Sequence, residues 1–261
     1  VSRVPLVEVD LGPGVRAGFS TVGLAVGRGP GGRPGDAVSA FNLGLGLHEP
    51  DELVLARREA VAGYLGAPLA WVHQVHGSTV HVVGEPGPGP RPSAEADGLV
   101  TTRRDVGLAV VVADCVPVLL ADPGAGVSGA AHAGREGVVA GVVPAVVAAM
   151  VSAGARREHL RAFVGPAACG RCYEVPSAMR ADVAARLPAT ASRTVLGTPA
   201  LDLPAGVCSQ LEAAGVGSVT ALGCCTIEDQ RWFSHRGTSR GGPQGRFAGV
   251  VRCLPASSTG T

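Results

Sequence analysis

Val106-Gly-Leu-Ala-Val-Val-Val112 and Val116-Pro-Val-Leu-Leu-Ala121 are two apolar runs of strand length, laid almost end to end. Only Ala113-Asp114-Cys115 separates them, and Cys115 closes the first run just before Val116-Pro117. Runs this short and apolar, bounded by polar or turn residues, read as strands rather than helices. Working outward, Leu99–Thr101 and Val127–His132 are further runs of the same kind. Val4–Val9 and Gly18–Leu24 read as strands near the N-terminus. Leu69–His76 and Thr79–Val83 read as two strands joined at Gly77-Ser78. Ser218–Leu222, Arg231–His235 and Phe247–Cys253 supply strands near the C-terminus. Helices alternate with them irregularly. Pro50-Asp51-Glu52 opens one that runs to about Leu65, since proline and acids suit a first turn. A second follows Gly137, and Ser177–Arg186 and Leu203–Ala214 are amphipathic, the latter ended by Gly215. Gly27–Gly35 and Gly84–Pro92 are too rich in glycine and proline to be anything but loops. With no repeat and no linker, the chain reads as a single α+β domain over residues 1–255. Its mixed β-sheets are flanked by helices, and residues 256–261 form a frayed tail.

Composition narrows the function classes. Glycine (39) and proline (20) are abundant, but 46% of the 261 residues are hydrophobic and only 16% charged, so the chain must bury a core rather than stay disordered. The net charge of +1 offers no basic excess for nucleic acid. All the basic residues are arginine, which excludes a Walker A lysine, a Schiff-base lysine and a kinase-type ATP lysine. The N-terminal stretch lacks the pattern of a signal peptide. Gly137–Ala155 contains Pro144 and is mostly Ala, Gly and Val, so it reads as a buried helix and no membrane partner is expected. The seven cysteines, 115, 169, 172, 208, 224, 225 and 253, are odd in number and scattered, as reduced cytoplasmic thiols would be.

Several motifs fail on context. Gly237-Thr-Ser-Arg-Gly241 fits a nucleophile elbow, but Gly241-Gly242-Pro243 follows where a helix is needed, and no histidine lies beyond it. Gly12-Pro-Gly14 opens no helix, so it is not a dinucleotide loop. Cys169-Gly-Arg-Cys172 is a C-x-x-C, yet a structural zinc site needs a second pair at similar spacing, and vicinal Cys224-Cys225 is not one. It reads as two reduced thiols in a loop. The H-x-E of a cytidine deaminase is absent.

Three residues stand apart. His76, Cys115 and His132 each end an apolar run beside glycine or proline, where sheet proteins place sites on rigid supports. Two imidazoles and a thiolate leave one position of a tetrahedral zinc open, as a catalytic site requires. His73 and His76 face opposite sides of an extended strand, so only one can join. The intervals between the three match no short ligand motif. On residue types alone a structural reading outweighs the metal: His76 caps a turn, Cys115 fills a core and His132 bonds a buried carbonyl.

The wording around these residues resembles the YfiH family, also called the laccase-domain, polyphenol-oxidase or peptidoglycan-editing-factor family. The resemblance rests on Asn42-Leu43-Gly44, Arg58, Gln74-Val-His76-Gly77, Ala96-Asp97-Gly98 and Ala113-Asp114-Cys115-Val-Pro117. It continues through His132-Ala-Gly134, Gly165-Pro166, Tyr173-Glu174-Val175, Leu201-Asp202-Leu203, Cys225-Thr226, Phe233-Ser234-His235-Arg236 and Gly245-Arg246. It implies zinc, or alternatively copper, held by His76, Cys115 and His132. It also implies purine-nucleoside chemistry: phosphorolysis of adenosine, inosine and methylthioadenosine, and deamination of adenosine. Cys115, Glu174 and Arg58 are then the expected catalytic residues, with Glu174 shuttling protons. Asn42, Arg246 and Arg236 are expected to hold substrate or phosphate, arginine being suited to bidentate contacts. The partners are small molecules, on a monomer or small homo-oligomer. The lone asparagine of the chain falls in the Asn42-Leu43-Gly44 segment, and Gly77 and Gly134 are expected to let the chain turn beside His76 and His132.

The sequence also departs from the family pattern. Arg135-Glu136 stands where Trp-Arg is usual after His132-Ala-Gly134, Arg57 where asparagine is common, and His235 where tyrosine is usual. Two other readings follow from the resemblance: a copper oxidase of phenols, and a cell-wall factor acting through a Cys115–His pair or by binding alone.

Overall fold

The computed structural model describes residues 4–23, 40–85, 89–239 and 241–255. The Gly27–Gly35 loop, the end of the expected Gly18–Leu24 strand and the 256–261 tail lie outside them. Two β-sheets stack face to face. One has the order β1 (Leu6–Glu8), β2 (Val15–Ser20), β13 (Phe247–Cys253), β6 (Gly107–Val112) and β3 (Leu69–Ala70). The other has the order β12 (Ser218–Ala221), β9 (Arg161–Val164), β7 (Val116–Asp122), β8 (Val127–Ala133), β5 (Gly98–Thr101) and β4 (Val80–Val82). Both are mixed: β3 pairs parallel with β6, β4 with β5 and β12 with β9, while the remaining pairings within these two sheets are antiparallel. A small antiparallel ribbon joins β10 (Ala191–Arg193) to β11 (Pro199–Leu201).

The two decisive runs are apolar throughout because both faces of their strands are covered. All seven residues of β7 are buried. Leu119 and Ala121 point between the sheets, among Phe19, Leu108, Val110, Phe163 and Phe247. Val116, Val118 and Leu120 point the other way, onto α3 (Val142–Ser152) and α5 (Leu203–Ala213). The outer face of the first sheet packs on α1 (Asp51–Leu65) through Val61, Leu65, Ala109 and Val250. The result is a helix–sheet–sheet–helix stack, a mixed α/β fold with sheets flanked by helices. Each fully buried Val or Leu in it contributes about 1.5–3 kcal/mol. No helix among the described residues is long and apolar enough to cross a membrane.

Four expectations change. The strand expected over Leu69–His76 ends at Ala70, so Gly77-Ser78 does not join two strands directly; β3 and β4 belong to different sheets and His73–Ser78 crosses between them. The helix expected after Gly137 begins at Arg135 and is broken at Gly141, whose φ of 85° separates α2 (Arg135–Ala140) from α3. Arg231–His235 is not a strand. Trp232 and Phe233 are buried between the sheets from a turn that Asp229 holds by accepting from the backbone N–H of Arg231 and from Trp232 Nε1. Ser234 then caps the short α6 (His235–Thr238) by accepting from Gly237 N–H. Finally, β9 was not expected. It pairs with β7 on one side and β12 on the other, and α4 (Ser177–Arg186) begins beyond it as expected.

Candidate functional site

His76, Cys115 and His132 converge although they come from three separate segments. Cys115 sits at the β6–β7 turn, His132 near the end of β8, and His76 in the crossover between sheets. Pro117 pairs with His132 across β7 and β8, which fixes that histidine beside the turn. The ligating atoms of all three lie within 4.8 Å of one another. The Cys115 Sγ is 3.7 Å from His76 Nε2, and the two imidazoles meet edge-to-face with centroids 4.7 Å apart.

Asp97, immediately before β5 and fully buried, organises this cluster. Its Oδ1 accepts from His132 Nδ1 at 2.7 Å and from His76 N–H at 3.0 Å. Its Oδ2 accepts from Gly77 N–H at 2.7 Å and Val75 N–H at 3.2 Å. Burial pushes the Asp97 carboxyl up, but these bonds, led by that from His132, outweigh burial and hold it below its ordinary value. An ionised carboxylate only accepts, so His132 carries its proton on Nδ1 and turns the Nε2 lone pair toward Cys115 and His76. Burial, the largest influence on His132, keeps the imidazole below its ordinary value and thus neutral. The Cys115 thiol is pushed up to about 12 by burial and by Asp114. That is the reverse of an activated cysteine nucleophile, and only a cation beside the sulfur would hold it as thiolate. The donor set and its outer carboxylate therefore fit a metal ion.

Gly134 is required for space. A Cβ there would come within 2.6 Å of His76 Cδ2 and 3.2 Å of Cys115 Sγ. Its φ is −73°, and the turn expected at Gly77 is made by His76 itself, whose backbone is left-handed at φ 62°. Asp114 is the other non-glycine residue with positive φ among those described, at 82°. It is pinned by Thr226 Oγ1 and Ser234 Oγ, both donating at 2.6 Å, and by the backbone N–H of Arg236 at 2.8 Å. Gln74 pairs with Val111 through both amide atoms and so prolongs the β6 edge beyond β3.

The cluster opens into a cavity of about 610 Å³. Its wall carries Arg58, Arg135, Arg236 and Arg246 against a single carboxylate, Asp114. Arg58 is buried over the Trp71 ring and donates to the carbonyls of Leu43 and Pro90. Desolvation lowers its pKa to about 10, which leaves it charged at neutral pH. Arg236 stacks 4.4 Å over Tyr173 and donates to the Glu174 carbonyl at 2.5 Å. Arg135 pairs with its neighbour Glu136, so the unusual dipeptide still presents a guanidinium to the cavity. The Arg246 guanidinium has no hydrogen-bond partner among the described residues.

Two expected site residues are placed elsewhere. Glu174 is exposed, its side chain is not part of the cavity wall, and only its backbone carbonyl engages a cavity residue. Asn42 is fully buried behind the wall. Its Oδ1 accepts from the N–H groups of Gly44 and Arg246, and its Nδ2 donates to the Gly44 carbonyl and to Glu49. It holds Arg246 in place from behind. Arg57 joins the same network through Glu49. Asp97, Asp114 and Gln74 were visible only as letters of shared motifs. A carboxylate at the mouth of an apolar strand was the signal available for the two acids.

A family model described as multi-copper polyphenol oxidoreductase laccase matches residues 25–253. A purine nucleoside phosphorylase of Streptomyces griseus is 50% identical over 214 residues, 81% of this chain and 86% of that protein. Among solved structures, protein NMB0706 of Neisseria meningitidis superposes with a TM-score of 0.81 at 29% identity, covering 96% of this chain and all of that one. Bacillus licheniformis YfiH superposes with a TM-score of 0.78 at 28% identity, covering 92% of this chain and 93% of that one.

Proposed function

The chain belongs to the YfiH family of laccase-domain proteins, and we propose that it is a zinc-dependent purine nucleoside phosphorylase. The observation that carries this reading is one cavity that holds both a three-donor cluster and an arginine free to take an anion. The volume suits a nucleoside plus phosphate, within the usual range of roughly 300–1,000 Å³ for small-molecule sites. Relatives named purine nucleoside phosphorylase, half of whose aligned residues are identical to this chain's, support the substrate class.

His76, Cys115 and His132 would hold the zinc. When bound, it supplies Lewis acidity beside the reacting sugar or base. Arg246, aimed by Asn42 from behind, binds phosphate, and Arg58 and Arg236 add positive charge around it. In phosphorolysis a phosphate oxygen attacks C1′ of the ribose, the C1′–N9 bond breaks, and the base leaves with a proton. The arginines orient the attacking phosphate, and the Tyr173–Arg236 stack offers a planar surface for the base. Deamination of adenosine at the same cluster is a second activity of this reading, favoured by the open position of a three-donor set. Multi-copper phenol oxidation is less well served. Among the described residues only two groups of three or more metal-ligating side chains occur, and just one contains histidine.

The test is release of adenine from adenosine with and without phosphate, on zinc-loaded protein and on Cys115→Ala. Phosphate-dependent release that disappears in the variant is expected. Release independent of phosphate, or full turnover in the variant, overturns the reading.

A further inference from the structure

We propose a second metal site, of zinc–thiolate character, formed by Cys169, Cys172, Cys225 and Glu228. Their sulfur and carboxylate atoms all lie within 4.8 Å of one another. None of the four lines the cavity, so the cluster is separate from the one around Cys115.

The local backbone has the form such a site needs. Cys169-Gly-Arg-Cys172 is a turn closed by Cys172 N–H donating to the Cys169 carbonyl at 3.0 Å. Cys225-Thr-Ile-Glu228 is a second turn of the same length, closed by Glu228 N–H and by Asp229 N–H on the Cys225 carbonyl at 3.3 and 2.9 Å. Each turn presents its first and last side chain, and a parallel bridge between Ala167 and Cys225 sets the two side by side. Gly170 is confined, since a Cβ there would lie 2.6 Å from Asp202 Cβ and 2.7 Å from Ser192 Oγ. Two short turns, each offering a ligand at both ends, make a four-ligand set of the C-x-x-C class with one cysteine replaced by glutamate. The second half escapes a search for cysteine pairs, because its partner is Cys225-x-x-Glu228 and not Cys224-Cys225.

The electrostatics agree with this geometry. Burial pushes the Cys172 thiol up, and Glu228 and Cys169 push it further. Burial likewise raises Cys225, while backbone N–H groups of Cys169, Ile227 and Glu228 act in the opposite sense. Such N–H groups stabilise a thiolate but gain little from a neutral thiol. Three thiols and a carboxylate in contact suit a borderline-soft dication, which displaces the thiol protons to solvent as the metal–sulfur bonds form.

The consequence is structural. The two turns belong to the segments that carry Tyr173 and Arg236 into the cavity wall. They also reach Asp114 from both sides, through Ala168 N–H on its carbonyl and Thr226 Oγ1 on its carboxylate. A zinc there would clip the two segments together and steady the residue next to Cys115.

The test uses the full chain purified under reducing conditions with zinc. Wild-type protein is expected to lose one equivalent of zinc in the double variant Cys169→Ser/Cys172→Ser and to keep that equivalent in Cys115→Ala. This holds whether or not the cavity cluster takes zinc, so the two proposals fail separately. Glu228→Gln should weaken zinc binding by about ten-fold or more. Should the double variant not fold, alkylation of native wild-type protein followed by peptide mass analysis decides. Cys169, Cys172 and Cys225 should resist alkylation until a chelator is added. Unchanged zinc content in the folded double variant, or alkylation of the three thiols at the same rate with and without chelator, overturns the proposal. A disulfide between any two of them under these conditions does so as well.

Discussion

Replacing Asp97 with asparagine isolates what the buried carboxylate does, because the side chain keeps its shape and loses one acceptor. The carboxylate serves four donors in two pairs: His132 Nδ1 and His76 N–H on Oδ1, Gly77 and Val75 N–H on Oδ2. Whichever way the amide is turned, its NH₂ faces one pair of donors. Two charge-assisted bonds are then lost, each worth about 1.5–3 kcal/mol, for about 3–6 kcal/mol before the easier burial of a neutral group offsets part of it. A net loss of about 2 kcal/mol lowers Tm by about 4–8 °C in a chain of this size. The metal readout is the more specific one. If the NH₂ faces His132, the ring must move its proton to Nε2 and cease to be a ligand. If it faces Gly77, the His76 turn loosens. Either way the zinc affinity of the His76–Cys115–His132 cluster, measured in the Cys169→Ser/Cys172→Ser background, should drop by about 10–100-fold, the usual effect of disturbing an outer partner of a ligating histidine. Competition with a chromogenic chelator, on protein shown to be folded by circular dichroism, measures this. A lowered Tm with wild-type zinc affinity would refute the orienting role and leave Asp97 as a purely structural residue.

Three further outcomes are expected. Glu174→Gln should retain turnover within about two-fold, as exposed substitutions away from a site do, and a large loss would return that carboxylate to the mechanism. Arg246→Ala should raise the KM for phosphate by about 10–150-fold, the equivalent of one charged hydrogen bond, with a smaller change in the KM for nucleoside. Initial rates at varied phosphate measure it. Asp122 is buried, which raises its carboxyl, but N–H groups of Ala125 and Arg156 and the charge of His159 bring it below 3.8. Its contribution is therefore complete above the unfolded value and lost as pH falls through the lower folded value. Asp122→Asn should flatten the acid limb of Tm against pH below about 4.

The sequence was most legible where periodicity and burial coincide. The runs at Val106–Val112 and Val116–Ala121 announce strands because layers on both sides make every position apolar. The helix at 51–65 begins with proline and acids and ends at a left-handed glycine, Gly66. Legibility fails where the partner is distant. Nothing local to Leu69–His76 says that the chain leaves one sheet after Ala70 and joins the other at Val80. Nothing local to Trp232-Phe233 distinguishes a strand from a turn that buries two aromatics. The three cavity ligands were recognisable by type and by resemblance, whereas the role of Asp97 depends on bonds to residues 20 and 35 positions away.

The two strained residues explain why the cluster exists at all. His76 and Asp114 have left-handed backbones without being glycine, a conformation that costs about 1 kcal/mol or more and persists only where the surroundings over-determine it. In both cases a carboxylate supplies the constraint. Asp97 takes three consecutive backbone N–H groups around His76, and Asp114 draws Thr226, Ser234 and Arg236 onto itself. The first turn swings the imidazole of His76 itself over Gly134, and the second delivers Cys115, the neighbour of Asp114, to the same point. Glycine at either position would relax the backbone but would remove the imidazole in one case and the anchoring carboxylate in the other. Gly134→Ala probes the outcome without touching either turn. Its Cβ must displace the His76 ring, so it should abolish metal binding at the His76–Cys115–His132 cluster while β8 and α2 remain folded. Metal retained at that cluster in the variant, measured in the Cys169→Ser/Cys172→Ser background, would show that the three side chains need not approach as closely as they do.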